Sequence, residues 1–166
     1  YPNTVELYDG ETLRTFYVVE EGKNKYGETC YNVTVTVTNT GDYAGKEAVQ
    51  VYVSKPCGNL GNPAKELVAF AKTKVLEPGE SEVVEIAVPF ERFWSYDDNG
   101  ASGYAFSYVM EKGEYAICIG NNVRNAEKVW SYYQNETVVT EELKQVSAPQ
   151  EKFDRFINTE KGLKKE

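Results

Sequence analysis

From Tyr31 to Ser54 the chain alternates, turns and alternates again, and no other stretch limits the fold as tightly. Tyr31, Val33, Val35 and Val37 fall on one side of an extended chain, and Asn32, Thr34, Thr36 and Thr38 on the other. Side chains of a strand leave it with a period of two, so this spacing selects β-structure with one apolar face. Asn39-Thr40-Gly41-Asp42 then supplies residues that tolerate positive φ and whose side chains bond nearby backbone. Val49, Val51 and Val53 resume the alternation. The pattern predicts one β-hairpin with a buried face, an antiparallel pair taken from a sandwich.

The remainder reads as further short strands between breakers. Leu13 to Glu20 is a strand candidate, and Glu21 to Gly27 a loop. Residues 54–63 carry two prolines, two glycines and two asparagines and form a long loop. Ala64 to Leu76 is ambiguous, because Leu67 and Phe70 lie at i, i+3 in helix-favouring composition. Pro78-Gly79 is a turn, after which Val84, Ile86 and Val88 alternate until Pro89 closes the strand. Phe90, Phe93, Trp94, Tyr96, Tyr104, Phe106 and Tyr108 form an aromatic-rich stretch split by Asp97-Asp98-Asn99-Gly100. Tyr115, Ile117 and Ile119 line one face of a late strand, and Val129 to Tyr133 reads as the closing one. Strands at this spacing suit an immunoglobulin-like sandwich. After Gln134 the pattern changes: Thr137-Val138-Val139 extends an edge, Ser147-Ala148-Pro149-Gln150 has the form of a helix start, and Phe153, Phe156 and Ile157 make a short apolar stripe.

Charge and cysteine usage narrow the function. The 166 residues carry a net charge of −8, which argues against nucleic acid and anionic membrane surfaces as partners. With no histidine among them, the commonest general base and zinc ligand are missing, and only carboxylates, Lys or Tyr remain as catalysts. No cofactor or zinc spacing is visible. Cys30, Cys57 and Cys118 cannot all pair, and the reading is three reduced thiols, although Cys30 and Cys118 sit where an inter-sheet bridge is possible. An odd cysteine count without a visible secretory signal favours a cytoplasmic setting.

Asp97 and Asp98 are neighbouring carboxylates. A glycosidase needs two carboxyl groups facing each other across a sugar, roughly 5–9.5 Å apart, and neighbours on one turn diverge. The expectation is therefore a solvated turn ahead of Gly100. Trp94, Tyr96, Tyr104 and Phe106 have two open readings, stacking on sugar rings or packing in a core or between domains, of which packing is the simpler. Asn59 and Asn62 either reach toward a neighbouring active site or belong to a plain surface loop.

Four segments in order carry a family resemblance: Val35-Thr36-Val37-Thr38-Asn39-Thr40-Gly41 running into Asp42-Tyr43-Ala44-Gly45-Lys46-Glu47-Ala48-Val49-Gln50-Val51-Tyr52-Val53-Ser54; Pro63-Ala64-Lys65-Glu66-Leu67-Val68-Ala69-Phe70; Leu76-Glu77-Pro78-Gly79-Glu80-Ser81; and Gly113-Glu114-Tyr115-Ala116-Ile117-Cys118-Ile119-Gly120. Together they resemble the fibronectin type III-like domain of glycoside hydrolase family 3, the β-glucosidases and their relatives. The resemblance implies an all-β, immunoglobulin or fibronectin type III-like antiparallel sandwich, with a strand where Ala64 to Leu76 is ambiguous and with a C-terminal extended or short-helical tail. It implies a non-catalytic accessory domain that packs against and orients the catalytic domains of a β-glucosidase. The family's S-D-W-type nucleophile motif is absent, and Ser95-Tyr96-Asp97 resembles the domain's own F-x-S-Y-D loop instead. Gly120-Asn121-Asn122-Val123-Arg124-Asn125-Ala126 and Ala148-Pro149 followed by Phe153-Asp154-Arg155 resemble the subset with inverted domain order. On that reading residues 1–133 are the sandwich, and 134–166 are a connector leading toward a catalytic barrel. Asn59, Asn62, Trp94, Tyr96, Tyr104 and Phe106 then become substrate-rim or inter-domain contacts. The alternative is a stand-alone carbohydrate-binding or cell-surface adhesion module.

Overall fold

A computed structural model describes residues 5–9, 13–144, 151, 154 and 156–165, with side chains described from residue 21 onward. The chain divides into two compact units: Tyr1–Val53, Glu66–Arg92 and Ala116–Ser131 in the first, and Ser54–Lys65, Phe93–Tyr115 and Tyr132–Glu166 in the second.

The first unit is the sandwich. One sheet has the order β1 (Val5–Asp9), β2 (Leu13–Lys23), β3 (Thr29–Asn39), β6 (Ser81–Pro89). The other has the order β10 (Glu127–Gln134), β9 (Gly113–Gly120), β4 (Ala48–Ser54), β5 (Glu66–Lys72). β3, β6, β4 and β9 turn their alternate apolar residues inward: Val33, Val35 and Val37 from β3, Val84, Ile86 and Val88 from β6, Val49, Val51 and Val53 from β4, and Ile117 and Ile119 from β9 are all buried. Fully burying one such side chain is worth ~1.5–3 kcal/mol, so this valine-rich interior is the main stabilising term. The centre of the second sheet is covered on both faces, because Tyr52 and Cys118 point away from the valines and still bury with Ala126. Half-buried Tyr31 stacks on Phe90 at 4.6 Å and meets Trp130 at 4.4 Å, so these aromatics group together on this unit.

The expected hairpin is not one. β3 pairs with β2 and β6, while β4 pairs with β5, so the two alternating runs lie in different sheets. Thr40 to Glu47 is a crossing between sheets, far longer than the two-residue loop of a tight hairpin. Asn39 organises it. Its side-chain amide donates to the carbonyls of Tyr43 and Leu76, both at 2.8 Å, and its Oδ1 accepts from the Gly41 N–H at 2.9 Å. Both strands bury the same core, so their alternation is identical whether they pair side by side or face one another.

Other boundaries shift. β2 runs on to Lys23, and the loop expected from Glu21 shrinks to a turn in which Asn24 Oδ1 accepts from the N–H groups of Tyr26 and Glu28. The ambiguous segment is a strand, β5, at the edge of its sheet. All three cysteines are thiols, Cys30 and Cys118 buried.

The second unit holds a three-stranded sheet, order β11 (Val138–Glu142), β8 (Ser107–Met110), β7 (Ser95–Asp97), and a hairpin of β12 (Phe156–Thr159) and β13 (Gly162–Lys165). Phe156 and Ile157 are strand neighbours that face opposite sides, not part of a helical stripe. The expected helix start at 147–150 and Phe153 lie outside the described residues. The hairpin sits on the loop 54–65: Asn158 N–H donates to Gly61 O at 3.3 Å, Asn158 Nδ2 to Asn62 O at 3.1 Å, and the Cys57 thiol to Asn158 O at 3.3 Å. Gly61 permits that approach, since at φ 65° a Cβ would stand 2.7 Å from Asn158 O.

Candidate functional site

The residues singled out in the sequence all lie in the second unit, on three short pieces of chain. The first is the β7–β8 pair. Asp97 ends β7 and is completely buried at 0% exposure, contrary to the solvated turn expected. Its Oδ1 accepts from the N–H groups of Asn99 (3.3 Å), Gly100 (2.7 Å) and Ala101 (3.0 Å), and its Oδ2 from the Ser102 N–H (2.8 Å) and hydroxyl (2.6 Å). Burial pushes this carboxyl upward, but the Ser102 hydroxyl and the N–H groups of Ser102, Gly100 and Asn99 outweigh it and hold the pKa below the usual carboxylate value. Asp98, its neighbour, is exposed. Turn-forming residues gave the right local structure and the wrong environment: the carboxylate draws the loop's donors around itself and so leaves water.

The loop that follows, 98–106, is closed at its far end by the Phe106 N–H donating to the Asp97 carbonyl at 2.6 Å and by Leu143 N–H donating to the Phe106 carbonyl at 2.9 Å. Phe106 adopts φ 60°, a conformation that a bulky side chain rarely takes. Its surroundings over-determine it. Tyr104 stands exposed on this loop and Phe106 is half-buried.

Because Asp97 and Phe106 close the connection, β7 and β8 meet with Tyr96 directly opposite Tyr108. Their rings lie 5.3 Å apart at 53°, and the Trp94 ring lies 6.3 Å from Tyr108 at 51°. The result is an aromatic ladder on one face of the sheet. Two of the expected residues, Trp94 and Tyr96, are in it. Tyr108, its central ring, was visible in the aromatic stretch but nothing in the sequence marked it as the link.

The third piece is the loop 54–65, which holds Asn59 and Asn62. Asn62 is occupied: its Nδ2 donates to Pro56 O at 3.0 Å and its Oδ1 accepts from Ser95 Oγ at 2.9 Å, tying the loop to β7. Lys55 Nζ donates to the Trp94 carbonyl at 2.8 Å and adds a second tie. Asn59 is exposed, and its N–H donates to Glu111 Oε1 at 2.8 Å, beside Leu60 N–H on Oε2 at 3.2 Å. Glu111 is buried at 4% exposure and does for this loop what Asp97 does for the other. A lone glutamate before Lys112-Gly113 gives no sequence signal for that role. The Tyr115 hydroxyl donates to the Glu111 carbonyl at 3.0 Å, and burial together with the Glu111 charge pushes this phenol well above its ordinary pKa.

Chemically, the arrangement offers two half-open loops and a half-exposed aromatic face. Among the described residues no three His, Cys, Asp or Glu side chains gather as a metal-binding group.

Residues 47–123 match the fibronectin type III-like domain. A β-glucosidase from Ruminococcus albus is 43% identical over 131 residues, covering 79% of this chain and 14% of that protein. β-Glucosidase A from Butyrivibrio fibrisolvens is 43% identical over 117 residues, covering 70% of this chain and 14% of that one. Among solved structures, a β-glucosidase from Paenibacillus barengoltzii superposes with a TM-score of 0.77 at 36% identity, covering 100% of this chain and 18% of its own. β-Glucosidase 3B from Thermotoga neapolitana in complex with α-D-glucose gives a TM-score of 0.57 at 34% identity, covering 78% of this chain and 17% of its own. The chain thus spans about a seventh of the length of the curated relatives it matches.

Proposed function

Because this chain is a fibronectin type III-like domain of the kind carried by family 3 β-glucosidases, we propose that it is the non-catalytic accessory domain of such an enzyme, packing against the catalytic domains and orienting them. The observation that carries the reading is the coverage: the Paenibacillus barengoltzii β-glucosidase matches the whole of this chain with only 18% of its own length. The parent would hydrolyse β-glucosides with carboxylates supplied by its other domains. Among the described residues the two buried carboxylates are committed to structure, Asp97 to the loop 98–106 and Glu111 to the loop 54–65. Residues 134–166, which pair with β8 through β11 and rest on the loop 54–65 through β12, serve as the connector toward the barrel. Asn59, Tyr104 and Phe106, on loops, then serve the substrate rim or inter-domain boundary, while Asn62 holds its loop in place. The comparisons do not favour a stand-alone sugar-binding or adhesion module, since the relatives are much longer enzymes.

The test is made on the full-length protein. Excising the segment that corresponds to this chain is expected to lower the melting midpoint of the catalytic part and its kcat/KM on an aryl β-glucoside. Unchanged stability and unchanged kinetics after excision would refute the accessory role.

A further inference from the structure

We propose that the outward face of the β7–β8–β11 sheet, formed by Trp94, Tyr96, Tyr108, Met110 and Val138, is the surface on which the catalytic part of the parent β-glucosidase docks; this rests on the accessory-domain reading and deepens it by naming the contact. Register places the group. Tyr96 is opposite Tyr108 and Met110 opposite Val138, so all four point to one side, and the ring contact with Tyr108 brings Trp94 to the same side.

The polarity of this sheet is reversed. An antiparallel sheet open to water on one side turns apolar residues in and polar residues out. Here Asp97, Ser107 and Val109 are the buried residues, and the outward ones, Glu141 apart, are aromatic, thioether and aliphatic, with Tyr96 still 42% exposed. Tyr, Trp and Met are the types enriched at protein interfaces, and charged groups are depleted from the centre of such patches. The charged Glu141, the Cα partner of Tyr108 on the edge strand, supplies a polar rim. The face is also held rigid, by Asp97 and Phe106 at one end and by the ties from Lys55 and Asn62 at the other.

A polypeptide suits this face better than a sugar. Tyr108 is tilted by 51° from Trp94 and by 53° from Tyr96, so the three rings share no plane along which pyranose rings could lie. Met110 and Val138 extend the patch without hydrogen-bonding groups for hydroxyls. The relative that matches this entire chain has most of its length, beyond the matching 18%, in other segments, and those are the occupant. The exposed apolar residues of β5 make a weaker case, since Glu66 and Lys72 bracket that edge with charge in the manner of a guarded strand.

Hydroxyl-radical footprinting of the full-length protein, read residue by residue, tests this, with Tyr43 as the exposed reference and Phe70 as the readout of β5. Loss of oxidation at Trp94, Tyr96, Tyr108 and Met110 relative to Tyr43 is expected. Tyr96→Arg and Met110→Glu should each restore labelling of Trp94, and having two variants guards against one that misfolds. Ready labelling of Tyr96 with protection of Phe70 would move the contact to β5, overturning this inference but leaving the accessory role intact. Ready labelling of both faces would overturn this inference and leave the accessory role to the excision experiment. Protection of Tyr96 that appears only on adding a cello-oligosaccharide would make the face a sugar site and overturn the docking proposal.

Discussion

A buried carboxylate surrounded by main-chain donors behaves differently from one at a catalytic pair, and Asp97 illustrates the difference. Asp97→Asn keeps the shape but turns an NH2 group toward N–H donors. Leaving buried donors unsatisfied costs ~1–3 kcal/mol, and denaturant melts at neutral pH should show a loss in that range. The pH dependence has a definite sign. The folded pKa lies below the ordinary 3.8, so the stabilisation is fully present above that value and is lost as pH falls through the depressed folded pKa. The Asn variant should lack that acid limb, and parallel melts of both proteins down the acid range would show it; identical acid profiles would remove Asp97 from the account. Gly58 makes the matching test for Glu111. At φ 54° a Cβ would overlap the Glu111 carboxylate, so Gly58→Ala should destabilise by more than ~1 kcal/mol, through both strain and the displaced acid. A melting midpoint equal to the parent's would contradict it. These roles were only half legible. Asn, Asp and Gly announce a turn, but whether a turn's carboxylate faces water depends on how many donors close around it, and that is a three-dimensional count.

At the scale of elements, period-two alternation located β3, β4, β6 and β9 because one face of each is buried, and that signal is local. Ile117, at the centre of β9 and fully buried, is the measure of it: Ile117→Ala should cost ~2–5 kcal/mol, and a loss within the scatter of surface substitutions would place it outside the core. Pairing is not local, and there the sequence misled. Val33 to Val37 and Val49 to Val53 look like hairpin partners and instead belong to different sheets. The crossing depends on Asn39, whose amide satisfies the Leu76 and Tyr43 carbonyls. Asn39→Ala should cost ~1–3 kcal/mol by stripping buried acceptors of their donor, whereas a hairpin turn at this position would tolerate the change with only a few tenths. The tail shows the same limit. Val138 and Val139 do extend an edge, that of β8, but Phe156 and Ile157 were read at helical spacing and are strand residues, because four residues are too few for periodicity to separate the two.

For the whole molecule, the question is whether a chain this rich in carboxylates and aromatics could act on a glycoside by itself. A retaining glycosidase needs two carboxyl groups about 5–5.5 Å apart, one of them protonated near neutral pH and one free to attack. Asp97 fails on both counts. Its pKa is lowered rather than raised, and both its oxygens are engaged by donors of its own loop. Glu111 has each oxygen on a main-chain N–H of the loop 54–65. Asp98 is exposed, and without histidine in the chain there is no imidazole to take the place of a second carboxyl. The family resemblance was legible because it lies in turn and strand motifs set at fixed spacing along the chain, whereas the commitment of these acids to structure was not. The 166-residue chain on its own should therefore release no aglycone from an aryl β-glucoside, at neutral pH or in mild acid. The decisive control is mutational. Trace hydrolysis that persists unchanged in Asp97→Asn, Asp98→Asn and Glu111→Gln belongs to a contaminant, while hydrolysis abolished by Asp98→Asn, with the melting midpoint retained, would put a catalytic carboxylate in this domain and refute the accessory role proposed for it.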